Sequence, residues 1–159
     1  MVSIFIVYGG EEGEKIGRQV EIYFKGNNIR AFLASPRSEE IDPSEKFVER
    51  IDTELKHANI AIIIVTDGIH QSDPALDEIN RIQEELKYPF IPFVKNNVTP
   101  PEKLEGLWKV PFQNEKLSES DLIQLELKMW RYYDRWQTMQ SKVVNESDEI
   151  PVKRYVGFK

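Results

Sequence analysis

NIAIIIVTDGIHQSDPALDEINRIQEE, residues 59–85, decides the fold of this chain. Ile60–Val65 is an unbroken apolar run, which is typical of a strand buried on both faces of a parallel sheet. Asp67-Gly68 indicates a turn, and Ser72-Asp73-Pro74 supplies the capping side chain and first-turn proline that begin a helix. Ligands of open parallel sheets bind outside the carboxyl ends of the strands. We therefore expect a ligand-facing edge here, with Glu78, about one turn into the helix, as its first candidate residue.

Strand and helix patterns alternate on both sides of this stretch. The predicted strands are residues 3–8, 29–33, 60–65, 90–94 and 110–112, and the predicted helices end near residues 25, 57, 86 and 139. Pro92 cannot donate to a ladder, so we expect the fourth strand to lie near an edge or to carry a bulge. The alternation predicts an α/β fold: a flavodoxin-like, open, parallel five-stranded sheet with helices on both faces.

Composition places the chain among soluble, cytoplasmic single domains. Its 159 residues suffice for one core, and no apolar run approaches the roughly 20 residues of a membrane span. The chain begins without the basic and apolar regions of a signal peptide. The absence of cysteine excludes disulfides, thiolate metal sites and cysteine nucleophiles. The net charge of −6 argues against non-specific nucleic-acid binding. We expect neither nucleic acid nor membrane as a partner.

The last predicted helix, residues 118–139, is rich in aromatic residues. Its four large rings cannot all fit one apolar stripe, which suggests that some face a partner, as in a dimer; they are Trp130, Tyr132, Tyr133 and Trp136. Periodicity is lost from about Ser141. We therefore divide the chain into a domain, residues 1–140, and a C-terminal tail, residues 141–159, whose Tyr155–Phe158 could dock back onto the domain.

The common catalytic signatures are missing. The chain has no GxGxxG or GxxxxGK[ST] loop and no recoverable Ser-His-Asp arrangement. His70 lies in the predicted edge loop, where it either touches a ligand or is an ordinary polar loop residue. Asp67 and the acidic residues after it would suggest Mg²⁺ only if they converged in space, and a solvated helix start explains them equally well. We expect no metal site.

Two further loops reach the same edge. Tyr8-Gly9-Gly10 ends the first strand, where glycines either let a ligand approach the backbone or simply form a tight turn. Ser35 and Arg37 follow the second strand. Arg37 could bind a phosphate or be an exposed loop arginine.

At this point the chain resembles the Toll/interleukin receptor homology (TIR) domain family over roughly residues 3–137. Phe5-Ile6-Val7-Tyr8 is similar to the family's F-[IV]-S-Y first strand, with Val7 in place of the serine. Residues 34–43 resemble its long loop after the second strand, and Phe90–Val94 resembles its I-I-P-V strand. The order and spacing of these motifs carry the resemblance.

The resemblance implies one of two activities. TIR domains are either adaptor modules or enzymes that cleave NAD⁺ at the nicotinamide–ribose bond. The enzymes use a glutamate, typically within W-x-x-x-E, and the chain resembles the prokaryotic-type members of this NAD⁺-cleaving group. Here Pro74–Glu78 matches that segment, so the glutamate is present and the tryptophan is not. The implied catalyst is Glu78. The residues that we expect to bind the substrate are those predicted from their position at the same edge: Tyr8, Gly9, Gly10, Ser35, Arg37, Asp67 and His70. NAD⁺ would be a substrate, and no cofactor is expected.

Three interpretations remain open from the sequence. Besides NAD⁺ cleavage in signalling or defence, the chain could be a nucleoside 2-deoxyribosyltransferase-like enzyme, which is similar in fold and also places a helix glutamate at an N-glycosidic bond. It could also be a non-catalytic TIR module that signals by self-association or by binding a partner TIR domain. Glu78 would then be a surface residue, solvated or paired with Arg81 at i+3.

Overall fold

The computed structural model describes residues 2–34 and 47–146. It contains one parallel sheet with the strand order β2-β1-β3-β4-β5, the order of flavodoxin-like folds. The strands are β1 (Ser3–Val7), β2 (Arg30–Leu33), β3 (Ile60–Val65), β4 (Phe90–Lys95) and β5 (Val110–Phe112). The helices are α1 (Gly10–Gly26), α2 (Phe47–His57), α3 (Asp73–Arg81) and α4 (Glu119–Glu146). The predicted fold class is confirmed.

β3 lies at the centre of the sheet because its side chains are apolar on both faces. Every residue of β3 is buried, as the unbroken apolar run predicts. Ile60, Ile62 and Ile64 pack into one core with α1 and α4. Ala61, Ile63 and Val65 pack into a second core with α2 and α3.

Pro92 lies in a strand near the edge of the sheet, as predicted, although β5 and not β4 is the edge strand itself. β4 pairs with β3 on one side and β5 on the other. The backbone N–H of Ala61 donates to Pro89, which turns alternate residues of β4, Ile91 and Phe93, towards β3. The Pro92 nitrogen therefore faces the β5 side, where pairing begins only at Phe93. No ladder bond is lost, so an interior strand accommodates the proline.

α1 buries a continuous apolar stripe, whereas α2 buries only part of one. Ile16, Val20 and Phe24 of α1 are fully buried. The helical spacing of α2 would place Phe47, Val48 and Leu55 on one apolar face, but only Leu55 is fully buried, and Phe47 and Val48 are exposed. The core contact of α2 is thus made by its C-terminal half.

α3 begins as predicted and ends differently. The Ser72 hydroxyl accepts a hydrogen bond from the Ala75 N–H at 3.2 Å and caps the helix. A 3₁₀ turn, Asp67–Gln71, replaces the expected irregular loop before it. A π-helical turn, Ile82–Leu86, follows α3 and closes with a bond from the Lys87 N–H to the Ile82 carbonyl at 2.8 Å.

α4 extends to Glu146, past the start of the predicted tail. No glycine or proline interrupts residues 141–146, so the helical hydrogen bonds propagate although the apolar stripe has ended. Residues 147–159, the rest of the predicted tail, lie outside the described residues. Within residues 2–34 and 47–146, no helix is long and apolar enough to cross a membrane.

The four aromatic residues of α4 are accommodated by the domain itself. Tyr132 and Tyr133 are buried, and the half-buried Trp130 and Trp136 pack against the α1–α4 core. Trp108 covers Tyr132 at a ring distance of 5.8 Å, which widens the buried face beyond a single stripe. Among residues 119–141 of α4, the large apolar side chains that are exposed are Ile123 and Leu127.

Candidate active site

The loops at the carboxyl edge of the sheet contact one another directly. Tyr8 follows β1, and its hydroxyl donates to the Ala34 carbonyl at 2.6 Å, tying the ends of β1 and β2 together. Ser35 and Arg37 come directly after this anchor but lie outside the described residues, so their predicted contacts with a substrate stay predictions.

Gly9 and Gly10 lie against the turn that follows β3. A side chain at Gly9 would meet the Ser72 Cβ at 2.7 Å and the Ile69 Cα at 2.8 Å. A side chain at Gly68 would meet the Gly9 carbonyl oxygen at 2.9 Å. The glycines thus allow two backbone segments to touch, a role that neither a ligand approach nor a simple tight turn had suggested.

Asp67 and His70 are exposed on this turn and interact with different residues. Asp67 acts electrostatically on Lys95, whereas His70 contacts Thr99. Lys95, at the end of β4, donates to the Glu12 carboxylate at 2.8 Å, and that bond, with smaller contributions from Asp67 and Glu115, raises the pKa of Lys95. The His70 Nε2 lies 2.7 Å from the Thr99 carbonyl. Because a carbonyl only accepts, Nε2 carries the proton in this contact.

Glu78 lies half-buried on α3, the helix that the Ser72 cap begins. Its carboxylate makes no hydrogen bond or ion pair with the residues of the described ranges, 2–34 and 47–146. Its pKa is raised from 4.5 to about 8, mainly by burial and less by the nearby Asp77 carboxylate, while Arg81 acts in the opposite direction. An acid held in this way is far from the solvated state of a surface glutamate.

Arg81 is not the partner of Glu78, although the i+3 spacing permits it. Its Nη2 lies 2.9 Å from the Asp52 carboxylate of α2, and its Nε lies 3.6 Å from Glu85. The surface pair considered from the sequence is therefore absent, and the Glu78 carboxyl group has no ion-pair partner within the described residues.

Tyr88 lies on the buried side of the same region. Its hydroxyl donates to the Leu55 carbonyl of α2 at 2.9 Å. Burial raises the pKa of Tyr88, and the Glu78 carboxylate adds to that rise. Glu78 thus lies close enough to Tyr88 to affect its pKa. No cluster of three or more His, Asp or Glu side chains in the described part of the chain could hold a metal ion.

Comparison with known proteins decides the family. A family model described as TIR domain matches residues 4–127. The chain belongs to the TIR domain family. No curated protein sequence gives a significant match.

Solved structures share the fold of this TIR domain at low sequence identity. The TIR domain of the Toll-related receptor TRR-2 from Hydra magnipapillata is 15% identical, with a TM-score of 0.61 over 84% of this chain and 99% of that one. A 2-deoxyribosyltransferase from Bacillus psychrosaccharolyticus is 14% identical, with a TM-score of 0.56 over 76% and 96%. The TIR domains of the activated Roq1 resistosome are 14% identical, with a TM-score of 0.53 over 97% and 80%.

Sequence reasoning missed three residues of this TIR domain, one at the sheet edge and two near Glu78. Lys95, at the edge, carried a usable signal, since a charged residue directly follows the apolar run of β4. Asp52 and Tyr88 carried none, because their roles depend on tertiary contacts, an ion pair with Arg81 and a hydrogen bond to Leu55.

Proposed function

We propose that this TIR domain cleaves NAD⁺ at the nicotinamide–ribose bond, as a glycohydrolase or cyclase, with Glu78 as its catalytic carboxylate. One observation carries the proposal. Glu78 is half-buried and unpaired within the described residues, and the arginine one turn away is bound to another helix. A buried carboxylate without a partner destabilises the fold, and such residues concentrate at functional sites.

The chemistry needs one carboxylate and no general acid. The bond between ribose C1′ and the pyridinium nitrogen breaks, and its electron pair goes to the nitrogen, so nicotinamide leaves as a neutral molecule. C1′ becomes cationic, and Glu78 stabilises that charge directly or as a covalent adduct. Water or a nucleophile of the same molecule then bonds to C1′, and any proton that it carries passes to solvent. Where a Glu78–C1′ bond has formed, it breaks in this step and its electron pair returns to the carboxylate.

A raised pKa is compatible with this role because the substrate is itself a cation. In the free protein, a pKa of about 8 keeps most Glu78 side chains protonated at neutral pH. A pyridinium beside the carboxyl group favours the charged form. Binding of NAD⁺ would therefore release the proton and generate the carboxylate where the positive charge moves to C1′.

The remaining predicted site residues receive proposed roles at the same edge. Tyr8, Gly9 and Gly10 would line the substrate pocket beside the turn that carries Asp67 and His70. Ser35 and Arg37 would approach the pyrophosphate, for which an arginine is suited by its planar pair of donors.

The deciding experiment compares NAD⁺ turnover by the wild type, Glu78→Gln and Asp77→Asn. Asp77 is an exposed acid on the same helix, so its substitution is a matched control. We expect nicotinamide release by the wild type and Asp77→Asn and loss of at least about 100-fold in Glu78→Gln. Full turnover by Glu78→Gln would contradict the proposal. Product chromatography would distinguish ADP-ribose from a cyclic isomer.

A second candidate follows from the likeness to a 2-deoxyribosyltransferase, whose fold this chain shares. The protein would then exchange or hydrolyse the base of a deoxynucleoside, again through Glu78. The same three proteins should be incubated with deoxynucleosides. Base release from those substrates, with NAD⁺ left intact, would select this alternative.

The proposal includes self-association, which would assemble the active form. A dilute preparation without turnover should therefore be tested again at high protein concentration and with a crowding agent. The competing view is a non-catalytic TIR module, in which Glu78 is dispensable. Retention of the full biological effect by Glu78→Gln would support that view.

A further inference from the structure

We infer that Asp52 is a positioning residue for Glu78: by holding the Arg81 guanidinium on α2, it keeps that cation away from the Glu78 carboxylate. The catalytic meaning of this inference rests on the proposed function. The competition between the Asp52 and Glu78 carboxylates for the Arg81 guanidinium does not depend on the proposed function.

The helix geometry makes Glu78 and Arg81 natural partners. Residues three apart lie on neighbouring turns of a helix, and a glutamate N-terminal to a cation is the favourable order. Arg81 nevertheless points its Nη2 at the Asp52 Oδ1, 2.9 Å away, and its Nε at the Glu85 Oε2, 3.6 Å away. Both polar contacts of the guanidinium lead away from Glu78.

Asp52 holds Arg81 more firmly than Glu85 does. The Asp52 contact is the shorter of the two, and Glu85 is 63% exposed against 39% for Asp52. Asp52 is also oriented by Lys56, one turn further along α2, at 3.0 Å. Bonds to Lys56 and then Arg81 lower the pKa of Asp52, so it remains a carboxylate throughout the neutral range.

Loss of this contact would change the state of Glu78. Asp77 and Arg81 on α3 are the titratable groups in the described ranges that act on Glu78, and Glu78 in turn raises the pKa of Tyr88. A cation within hydrogen-bonding distance lowers a carboxyl pKa by about 1–3 units. It also neutralises the charge that would stabilise a cationic C1′. Release of Arg81 would thus make Glu78 easier to ionise and less able to act.

The test is a carboxyl ¹³C NMR titration of Glu78 in the wild type, Asp52→Asn and the double variant Asp52→Asn/Arg81→Gln. We expect Asp52→Asn to lower the Glu78 pKa by about one unit or more, and the double variant to restore it. Lys56→Gln removes the other partner of Asp52 and should leave the Glu78 pKa close to that of the wild type. An unchanged pKa in Asp52→Asn would overturn the inference, as would a lowered pKa that persists in the double variant.

NAD⁺ turnover then tests the catalytic consequence. Asp52→Asn should shift the acid limb of the pH–rate profile to lower pH and reduce its plateau about tenfold, and removal of Arg81 in the double variant should restore both. Thermal melting checks that all variants are folded. A wild type without turnover would count against the proposed function alone, since the titration still decides the competition for Arg81. Normal turnover by a folded Asp52→Asn with a lowered Glu78 pKa would overturn the positioning role.

Discussion

Glu78 combines partial burial with the lack of a partner within the described residues, and both properties have measurable consequences. Its pKa of about 8 follows mainly from burial, because removing a carboxylate from water disfavours its charged form. The same burial would strengthen its interaction with a cation bound nearby. Stability and activity therefore make opposite demands on this one side chain.

The pH dependence of NAD⁺ cleavage should report the ionisation of Glu78. Because the carboxylate is the active form, kcat/KM should rise with pH and level off above about 8, the pKa in the free protein. The limb in kcat should lie at lower pH, because bound NAD⁺ favours the carboxylate. Initial rates across pH 5–9, roughly spanning the titration of a raised carboxyl group, check this. A kcat/KM that does not vary over that range would exclude Glu78 as the titrating group.

Glu78→Gln should stabilise the protein at high pH. The folded-state pKa lies above that of the unfolded chain, so the stability contributed by the protonated carboxyl is present below about 4.5 and is lost as pH rises through about 8. A neutral glutamine avoids this loss. We expect Glu78→Gln to exceed the wild type by roughly 1–3 kcal/mol at pH 9 and by little at pH 4. Urea melts at both pH values measure the difference, and equal stability at pH 9 would contradict the burial argument.

Glu78 could be proposed as a candidate from the sequence, but the residues that surround it in the fold could not. Its position one turn into a capped helix at the carboxyl edge made it a candidate, and the resemblance to TIR domains then singled it out among the nearby acids. The i+3 spacing left a pair with Arg81 open as one alternative, but Arg81 binds Asp52 of another helix instead. A rule based on spacing along the chain cannot predict that a residue of another helix, here Asp52, binds Arg81 instead.

Among the elements, the turn after β3 and the loop after β1 form one rigid contact. Gly9 and Gly68 bring the two backbones together, with no room for a Cβ at either position. This contact orients the turn that carries Asp67 and His70 and leads into the Ser72 cap of α3.

Gly68→Ala should therefore destabilise the domain and impair activity together. The added Cβ would lie 2.9 Å from the Gly9 carbonyl oxygen, so the backbone must shift. We expect a loss of about 1–3 kcal/mol in the free energy of unfolding. Gly26→Ala, at the end of α1 with nothing within 4 Å of the added Cβ, is the control and should be neutral or stabilising by up to about 1 kcal/mol. Equal effects of both substitutions, measured by denaturant unfolding, would contradict the close contact.

Element types were predictable and their irregularities were not. The apolar runs of β1 and β3 and the stripe of α1 place these elements to within about a residue. The 3₁₀ turn at Asp67 and the π-helical turn at Ile82 have no periodic signature, because each lasts a single turn. The environment of Pro92 depended on where β5 begins, a property of the sheet that the proline itself does not encode.

At the scale of the whole molecule, α1 and α4 expose large apolar side chains that the fold itself does not require to be exposed. Leu127 of α4 is 57% exposed, with Ile123 one turn before it, and Ile22 of α1 is 63% exposed. If TIR domains of this chain assemble through α4, Leu127→Lys should weaken self-association and the activity that depends on it, without changing stability beyond about 0.5 kcal/mol.

The measurement is light scattering together with NAD⁺ turnover over a wide range of protein concentration. Gln124→Lys adds the same charge at an exposed position of α4 and is the control. Leu127→Lys should lose the rise in specific activity with concentration, and Gln124→Lys should keep it. A specific activity that does not depend on concentration in the wild type would rule out assembly as a requirement.

The strand order has a consequence for the time course of folding. β1 is synthesised before the other strands of this sheet, yet it lies in the interior of the sheet between β2 and β3. Its Ile4 pairs with Ala31 on one side and with Ile60 on the other. A nascent chain can close the β1–α1–β2 unit early, but the second side of β1 stays unpaired until β3 has left the ribosome. Until then, the unpaired side of β1 can bind a strand of another chain. We therefore expect the nascent chain to be most prone to aggregation between the synthesis of β2 and that of β3.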